Sequence, residues 1–223
     1  CRPFTLIGEI EFLIDAKLKK ELQMKYPTEQ VFVVPYDNAK HIPDKFTKAA
    51  SNTKLSTWSN KGKFVLRSDA EYNKSIQQLI PYILIKNVDN TKLYVTRRIA
   101  GDKRLQDSLA LGCGGHINPE DAGDIIMDAA TRELNEEMNI ELAEGTGLDF
   151  LGYVRDLGSE TSEHLGFVFV ATAEKVSVKE KESLEGMWMG MPELVMEYNK
   201  FETWAKHIID YLFITHTTTK ILE

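Results

Sequence analysis

The sequence predicts an α/β fold, and three observations carry that expectation. Apolar runs of strand length recur through residues 31–191, bounded by turn residues. An amphipathic helix interrupts them near residues 124–138, and a second amphipathic helix follows the last of them. Strands mixed with helices in this way need helices packed on a sheet to bury both kinds of apolar face.

Taken in order, residues 4–14 mix apolar and acidic side chains, and Ala16 to Lys25 has helix-forming composition. Val31 to Val34, before Pro35, reads as a strand. His41 to Asn60 reads as a polar loop with Trp58 as an anchor, Lys63 to Arg67 as a strand, and Asp69 to Gln78 as a helical turn. After Pro81 the run Tyr82-Ile83-Leu84-Ile85 suits a buried strand; Asp89-Asn90 marks a turn, and Lys92 to Arg98 returns to complete a hairpin. Gly101 to Asp107 is a charged loop, and Ser108 to Cys113 approaches a Gly-Gly turn as a strand. A helix is expected from Asp124 to Met138, with Asp121 or Asp124 as its N-cap. Gly147 to Asp156, Leu165 to Thr172 and Glu185 to Met191 read as strands. Pro192 to Tyr198 and Glu202 to Phe213 read as helices, the second amphipathic through Trp204, Ile208, Ile209 and Leu212. Two regions follow: residues 1–75, an extension with short strands packed on the core, and residues 76–223, the main domain with its C-terminal helices.

Composition bounds the function. The 223 residues are 43% hydrophobic and 27% charged, ordinary for a soluble chain able to bury a core. A net charge of −7 disfavours a nucleic-acid backbone as partner. No apolar run approaches the roughly 20 residues that span a bilayer, so no membrane partner is expected. Cys1 and Cys113 do not make a disulfide framework, no signal peptide is visible, and a cytoplasmic location is the expectation.

The chemistry concentrates in Arg132-Glu133-Leu134-Asn135-Glu136-Glu137-Met138-Asn139-Ile140, behind the turn Gly112-Cys113-Gly114-Gly115-His116. At helical periodicity Ile126, Ala130, Leu134 and Met138 form one stripe, and Glu133, Glu136 and Glu137 project from another side. A solvated acidic face is the commoner meaning of such a pattern. Here three like charges crowd together one short loop after a glycine turn, which costs stability unless a cation compensates, and hard cations such as Mg²⁺ take oxygen ligands.

This segment resembles the box of the Nudix family, G-x5-E-x7-R-E-U-x-E-E-x-G-U, with U a bulky aliphatic residue. Arg132, Glu133, Leu134, Glu136, Glu137 and Ile140 match in register. Asp124 stands at the first glutamate and Asn139 at the late glycine, a position where both residues tolerate a left-handed helix end. Gly115 lies nine residues before Asp124 rather than six, so the loop is three residues longer. The resemblance implies an α/β/α sandwich with a mixed sheet. It also implies a Mg²⁺- or Mn²⁺-dependent hydrolase that cleaves the pyrophosphate bond of a nucleoside diphosphate linked to another group, or of a similar small-molecule diphosphate. By the same resemblance Glu136, Glu137, Glu133 and the Gly115 carbonyl hold the metal, Glu133 being alternatively the base, and Arg132 fixes a glutamate by a bidentate pair.

Outside the box, candidates for a further ligand or base are Glu160, Glu163, Glu180, Glu182 and Glu185, with Glu182 or Glu185 preferred as preceding a strand expected near the metal. Arg97, Arg98, Lys103 and Arg104 are candidates to clamp phosphate, and His116 to line the substrate pocket. Two other classes stay open. Cys113 with His116 superficially resembles the isopentenyl diphosphate isomerase branch of the Nudix fold, and a non-hydrolytic ligand-binding module is the third reading. The extension could cover the core, contact substrate or form a dimer interface, and its length suits a homodimer.

Overall fold

The computed structural model describes residues 17–100, 107–158 and 162–215. Residues 4–14, the loop holding Lys103 and Arg104, and Glu160 lie outside them. Residues 17–25 form helix α1. The strands are β1 (Gln30–Pro35), β2 (Phe46–Lys48), β3 (Lys63–Leu66), β4 (Ile76–Asn87), β5 (Leu93–Arg98), β6 (Leu109–Leu111), β7 (Cys113–Gly114), β8 (Met138–Leu142), β9 (Leu148–Val154), β10 (His164–Val178) and β11 (Leu184–Met189). Single turns of helix α2 (Tyr36–Ala39), α3 (Ser56–Ser59) and α4 (Arg67–Ala70) punctuate the extension. The longer helices are α5 (Ile125–Glu137), α6 (Met191–Met196) and α7 (Thr203–Thr215).

All eleven strands join one mixed sheet, with β11-β5-β4-β10-β9-β2 as its main path. The two longest strands, β4 and β10, run parallel at its centre, from His164 opposite Gln78 to Ala173 opposite Asn87. Every other pairing between these strands is antiparallel. Alternation along the central strands sorts side chains to two faces. Ile83, Ile85, Phe167 and Phe169 meet Ile126, Ala130 and Leu134 of α5. Tyr82, Leu84, Val168 and Val170 meet Ile208, Ile209 and Leu212 of α7. The result is the expected sandwich: helix, mixed sheet, helix.

The extension is hydrogen-bonded into the sheet itself. β1 pairs with the start of β4, and β2 pairs with β9. Trp58 is buried, donates from Nε1 to Tyr153 Oη at 3.1 Å, and meets Phe167 edge-on at 5.3 Å.

Three local expectations need correction. The segment Asp69–Gln78 is helical only in its first residues; β4 begins at Ile76 and runs through Pro81. A proline is tolerated inside this long strand because one neighbour, β1, leaves it at Gln78 and another, β7, joins it at Tyr82. The loop His41–Asn60 contributes β2. Finally, α5 does not end in a left-handed residue. Met138 is already extended, at φ −120° and ψ 140°, and Met138 to Leu142 pair with β10. Strand pairing, not a cap residue, terminates the helix.

Phe167 packs on Trp58, Tyr153 and Phe150 at the junction of extension and core. Phe167→Ala should lower the unfolding free energy by about 3–5 kcal/mol, as large-to-small changes at fully buried aromatics do; urea denaturation measures it.

Candidate functional site

The acidic helix is placed by its ends. Asp124 caps α5, its side chain accepting from the Met127 N–H at 3.5 Å, and the Ile126–Ala130–Leu134 stripe seats the helix on the sheet. Burial of each large aliphatic side chain in that stripe contributes about 1.5–3 kcal/mol. The C-terminal part of the helix, beside that stripe, then faces a cavity of about 440 Å³. Glu133, Glu136 and Glu137 line it together with Gly112 to Gly114, Arg98, Glu180, Glu202 and Tyr82.

The turn that forms the other wall depends on glycine. Gly112 has φ +73°, and a Cβ there would lie 1.8 Å from the Ile83 carbonyl oxygen. A Cβ on Gly115 would lie 2.4–2.5 Å from the Glu133 carboxylate, so backbone and carboxylate meet with nothing between them.

Arg132 holds this wall to the helix. Its Nε and Nη2 donate to Asp121 Oδ1 and Oδ2 at 2.9 and 3.0 Å, a bidentate pair. Nη2 also donates to the His116 carbonyl at 2.8 Å, and Nη1 to Glu133 Oε1 at 2.7 Å and Glu136 Oε2 at 3.1 Å. The bidentate partner is therefore Asp121 from the lengthened loop, not a glutamate of the helix. The sequence reading left Asp121 as a cap candidate; instead it also accepts from the Asn118 N–H at 2.8 Å and ties the loop to Arg132.

Electrostatics within the cavity are strained. Burial raises the Glu137 pKa to about 7, helped by the charges of Glu133 and Glu180 and opposed by Arg98. Burial also raises Glu133, against the stabilising hydrogen bond from Arg132. Glu202 is raised by burial and eased by Arg98. Arg98 is thus the cation placed among these carboxylates, and its Nε is buried without a hydrogen-bond partner. Cys113 lines the same cavity, and burial pushes its thiol well above the usual range.

The remaining candidates fall elsewhere. Arg97 alternates with Arg98 along β5 and points to the other face, where it pairs with Glu185 across the strands, Nε to Oε2 at 3.0 Å. Glu182 is exposed in the turn before β11 and does not line the cavity. Glu180, two residues earlier, does. Glu163 is buried and accepts from the Tyr72 N–H at 3.3 Å, away from the cavity. His116 contributes only its carbonyl to the wall. Its ring turns away toward His164, with centroids 5.5 Å apart, and burial lowers its pKa to about 3. Cys113 and His116 therefore serve different places. Glu202 is not among the site candidates of the sequence, because only the pairing of Phe201 and Glu202 with Leu109 of β6 brings it to the cavity.

A shell of carboxylates, a backbone edge at Gly115 and a volume fit for a small polyanion suit a hard divalent cation. The burial and like charge that raise Glu137 are what such an ion would offset.

Residues 80–212 match the NUDIX domain family. Protein YmaB of Bacillus subtilis (strain 168) is 33% identical over 156 residues, 66% of this chain and 76% of that protein. An uncharacterized Nudix hydrolase of Nostoc sp. (strain PCC 7120) is 27% identical over 111 residues, 50% of this chain and 63% of that protein. The crystal structure of Tm1382, a candidate Nudix hydrolase, superposes with a TM-score of 0.72 at 28% identity, over 84% of this chain and all of that one.

Two measurements check the electrostatics. Asp121→Ala removes the bidentate partner of a partly buried guanidinium that keeps Glu133, Glu136 and the His116 carbonyl, and should cost about 1.5–3 kcal/mol of stability. Glu136→Ala, at a carboxylate that is 59% exposed, should cost under about 1 kcal/mol by the same denaturation assay. For Glu137, a raised folded pKa means the folded state binds the proton more tightly than the unfolded chain. Stability of the metal-free protein should therefore fall as pH rises from the ordinary carboxylate range to about 7, and Glu137→Gln should flatten that slope.

Proposed function

The chain belongs to the Nudix family, and on that premise we propose a divalent-metal-dependent hydrolase that cleaves the pyrophosphate bond of a nucleoside diphosphate linked to another group, or of a similar small diphosphate. The observation that carries the proposal is the convergence of Glu133, Glu136, Glu137 and Glu180 with Arg98 on one cavity, with Glu137 pushed up to about 7 by burial and by the neighbouring carboxylates.

In this reading Glu136 and Glu137 hold Mg²⁺ or Mn²⁺ with Glu133 and the Gly115 carbonyl. When bound, the ion neutralises charge building on the phosphate oxygens and lowers the pKa of a coordinated water. Arg132 acts one step back: it orients Glu133 and, through Asp121 and the His116 carbonyl, fixes the backbone beside Gly115. Arg98 supplies the charge that receives a phosphate group in the cavity, and Tyr82 closes its floor with Oη held by the Leu111 N–H at 3.0 Å. Glu180 takes the role first assigned to Glu182 or Glu185. It reaches the cavity and is exposed enough to pass a proton from attacking water to solvent. The isomerase reading loses its support because Cys113 faces this cavity and the His116 ring does not.

The test is turnover against nucleotide sugars, dinucleotides, ADP-ribose and nucleoside triphosphates, with Mg²⁺ or Mn²⁺. One class should be cleaved, with loss of activity on chelation and in Glu137→Gln. Glu180→Gln should lower kcat by about 10²–10⁴-fold with KM little changed, the range for a lost general base. Glu182→Gln should leave kcat intact. Absence of cleavage across the panel by folded, metal-binding protein would overturn the proposal.

A further inference from the structure

A second group of ligand-type side chains lies behind the cavity wall. One ring nitrogen each from His116 and His164 and a carboxylate oxygen of Glu71 all lie within 4.8 Å of one another. They come from three separate places: the lengthened loop, the first residue of β10, and the residue that ends α4. The Nε2 atoms of both imidazoles are buried with no hydrogen-bond partner. Buried polar atoms are nearly always satisfied, so two orphaned ring nitrogens on the histidines of this one cluster signal a missing partner.

The surroundings suit a cation. Arg67 donates from Nε to Glu71 at 2.9 Å and from Nη1 to Glu29 at 2.8 Å, so its charge is already matched. Glu163, buried beside His164, adds a further carboxylate. Glu29, Glu71 and Glu163 outnumber the Arg67 guanidinium and the exposed Lys25 ammonium, so a net negative charge surrounds the pair of neutral rings and favours a cation. The Arg67 hydrogen bond also orients the Glu71 carboxylate as outer partners of metal ligands do.

We propose that Glu71, His116 and His164 form a transition-metal site, with Zn²⁺ the best-fitting ion, separate from the carboxylate cavity. Two imidazoles and one carboxylate are a borderline donor set that prefers Zn²⁺ to Mg²⁺. Tetrahedral Zn²⁺ with bonds of about 2.0–2.2 Å needs its ligand atoms roughly 3.4 Å apart. The three ligand atoms, within 4.8 Å of one another, already stand close to that spacing. The bound ion ties the extension, through Glu71, to the central strand β10 and to the loop whose His116 carbonyl anchors Arg132. Its role is to staple these parts, and it does not depend on what the cavity hydrolyses.

The test uses the full chain stripped of metal, then given one equivalent of Zn²⁺ in excess Mg²⁺. X-ray absorption at the zinc edge should show imidazole scattering in the first shell, and the melting temperature should rise. His164→Gln and Glu71→Ala should each weaken Zn²⁺ binding by at least roughly tenfold, while Glu137→Gln should bind Zn²⁺ as the wild type does. An all-oxygen shell, no binding in excess Mg²⁺, or loss in Glu137→Gln with retention in His164→Gln would each overturn the site. The wild-type spectrum decides alone if His164→Gln does not fold.

Discussion

Arg132 is the residue on which the arrangement of the site depends. One guanidinium satisfies Asp121, Glu133, Glu136 and the His116 carbonyl at once, and so joins an acidic helix to a glycine turn. Without a cation at that junction, the carboxylates would repel one another and the lengthened loop would have no fixed register against α5. A lysine could not replace it, because a point charge cannot engage Asp121 through two parallel bonds while still reaching Glu133. The loop between Gly115 and Asp124, three residues longer than the family's spacing, supplies Asp121 as the second half of this clamp.

The sheet provides what the clamp cannot. The parallel β4–β10 pair forms a rigid centre, and both helices dock on opposite faces of it. Carboxylates can be crowded on α5 because the adjoining apolar stripe supplies stability that the acidic residues remove. A half-buried Glu137 raised to about 7 is a local destabilisation held in place by the surrounding fold. The extension shares in this support, since β1 and β2 add to the sheet and Trp58 enters the same aromatic cluster as Phe167.

The parts of the site legible in the sequence were those fixed by local periodicity. Spacing alone grouped Ile126, Ala130 and Leu134 as the buried stripe of α5 and brought Glu133, Glu136 and Glu137 together, though beside that stripe and not across the helix from it. The parts that were not legible depend on which way a strand faces and where a loop folds back. Arg97 and Arg98 are neighbours, and alternation guarantees that they diverge, yet nothing local states which of them meets the carboxylates. Glu180, Glu182 and Glu185 posed the same problem across a turn. His116 sits beside Gly115 in sequence, yet its backbone and its ring belong to different environments.

The sequence by itself determined the α/β class, the acidic helix with its buried stripe, the glycine turn and the family resemblance, because each is a pattern of nearby residues governed by backbone periodicity. Only the tertiary structure decided that Asp121 grips Arg132, that Glu180 and Glu202 reach the cavity, and that β8 rather than a cap ends α5. It alone brought Glu71, His116 and His164 together. Those are contacts between residues distant along the chain, set by strand register and sheet topology, and a single sequence carries no local signal for them.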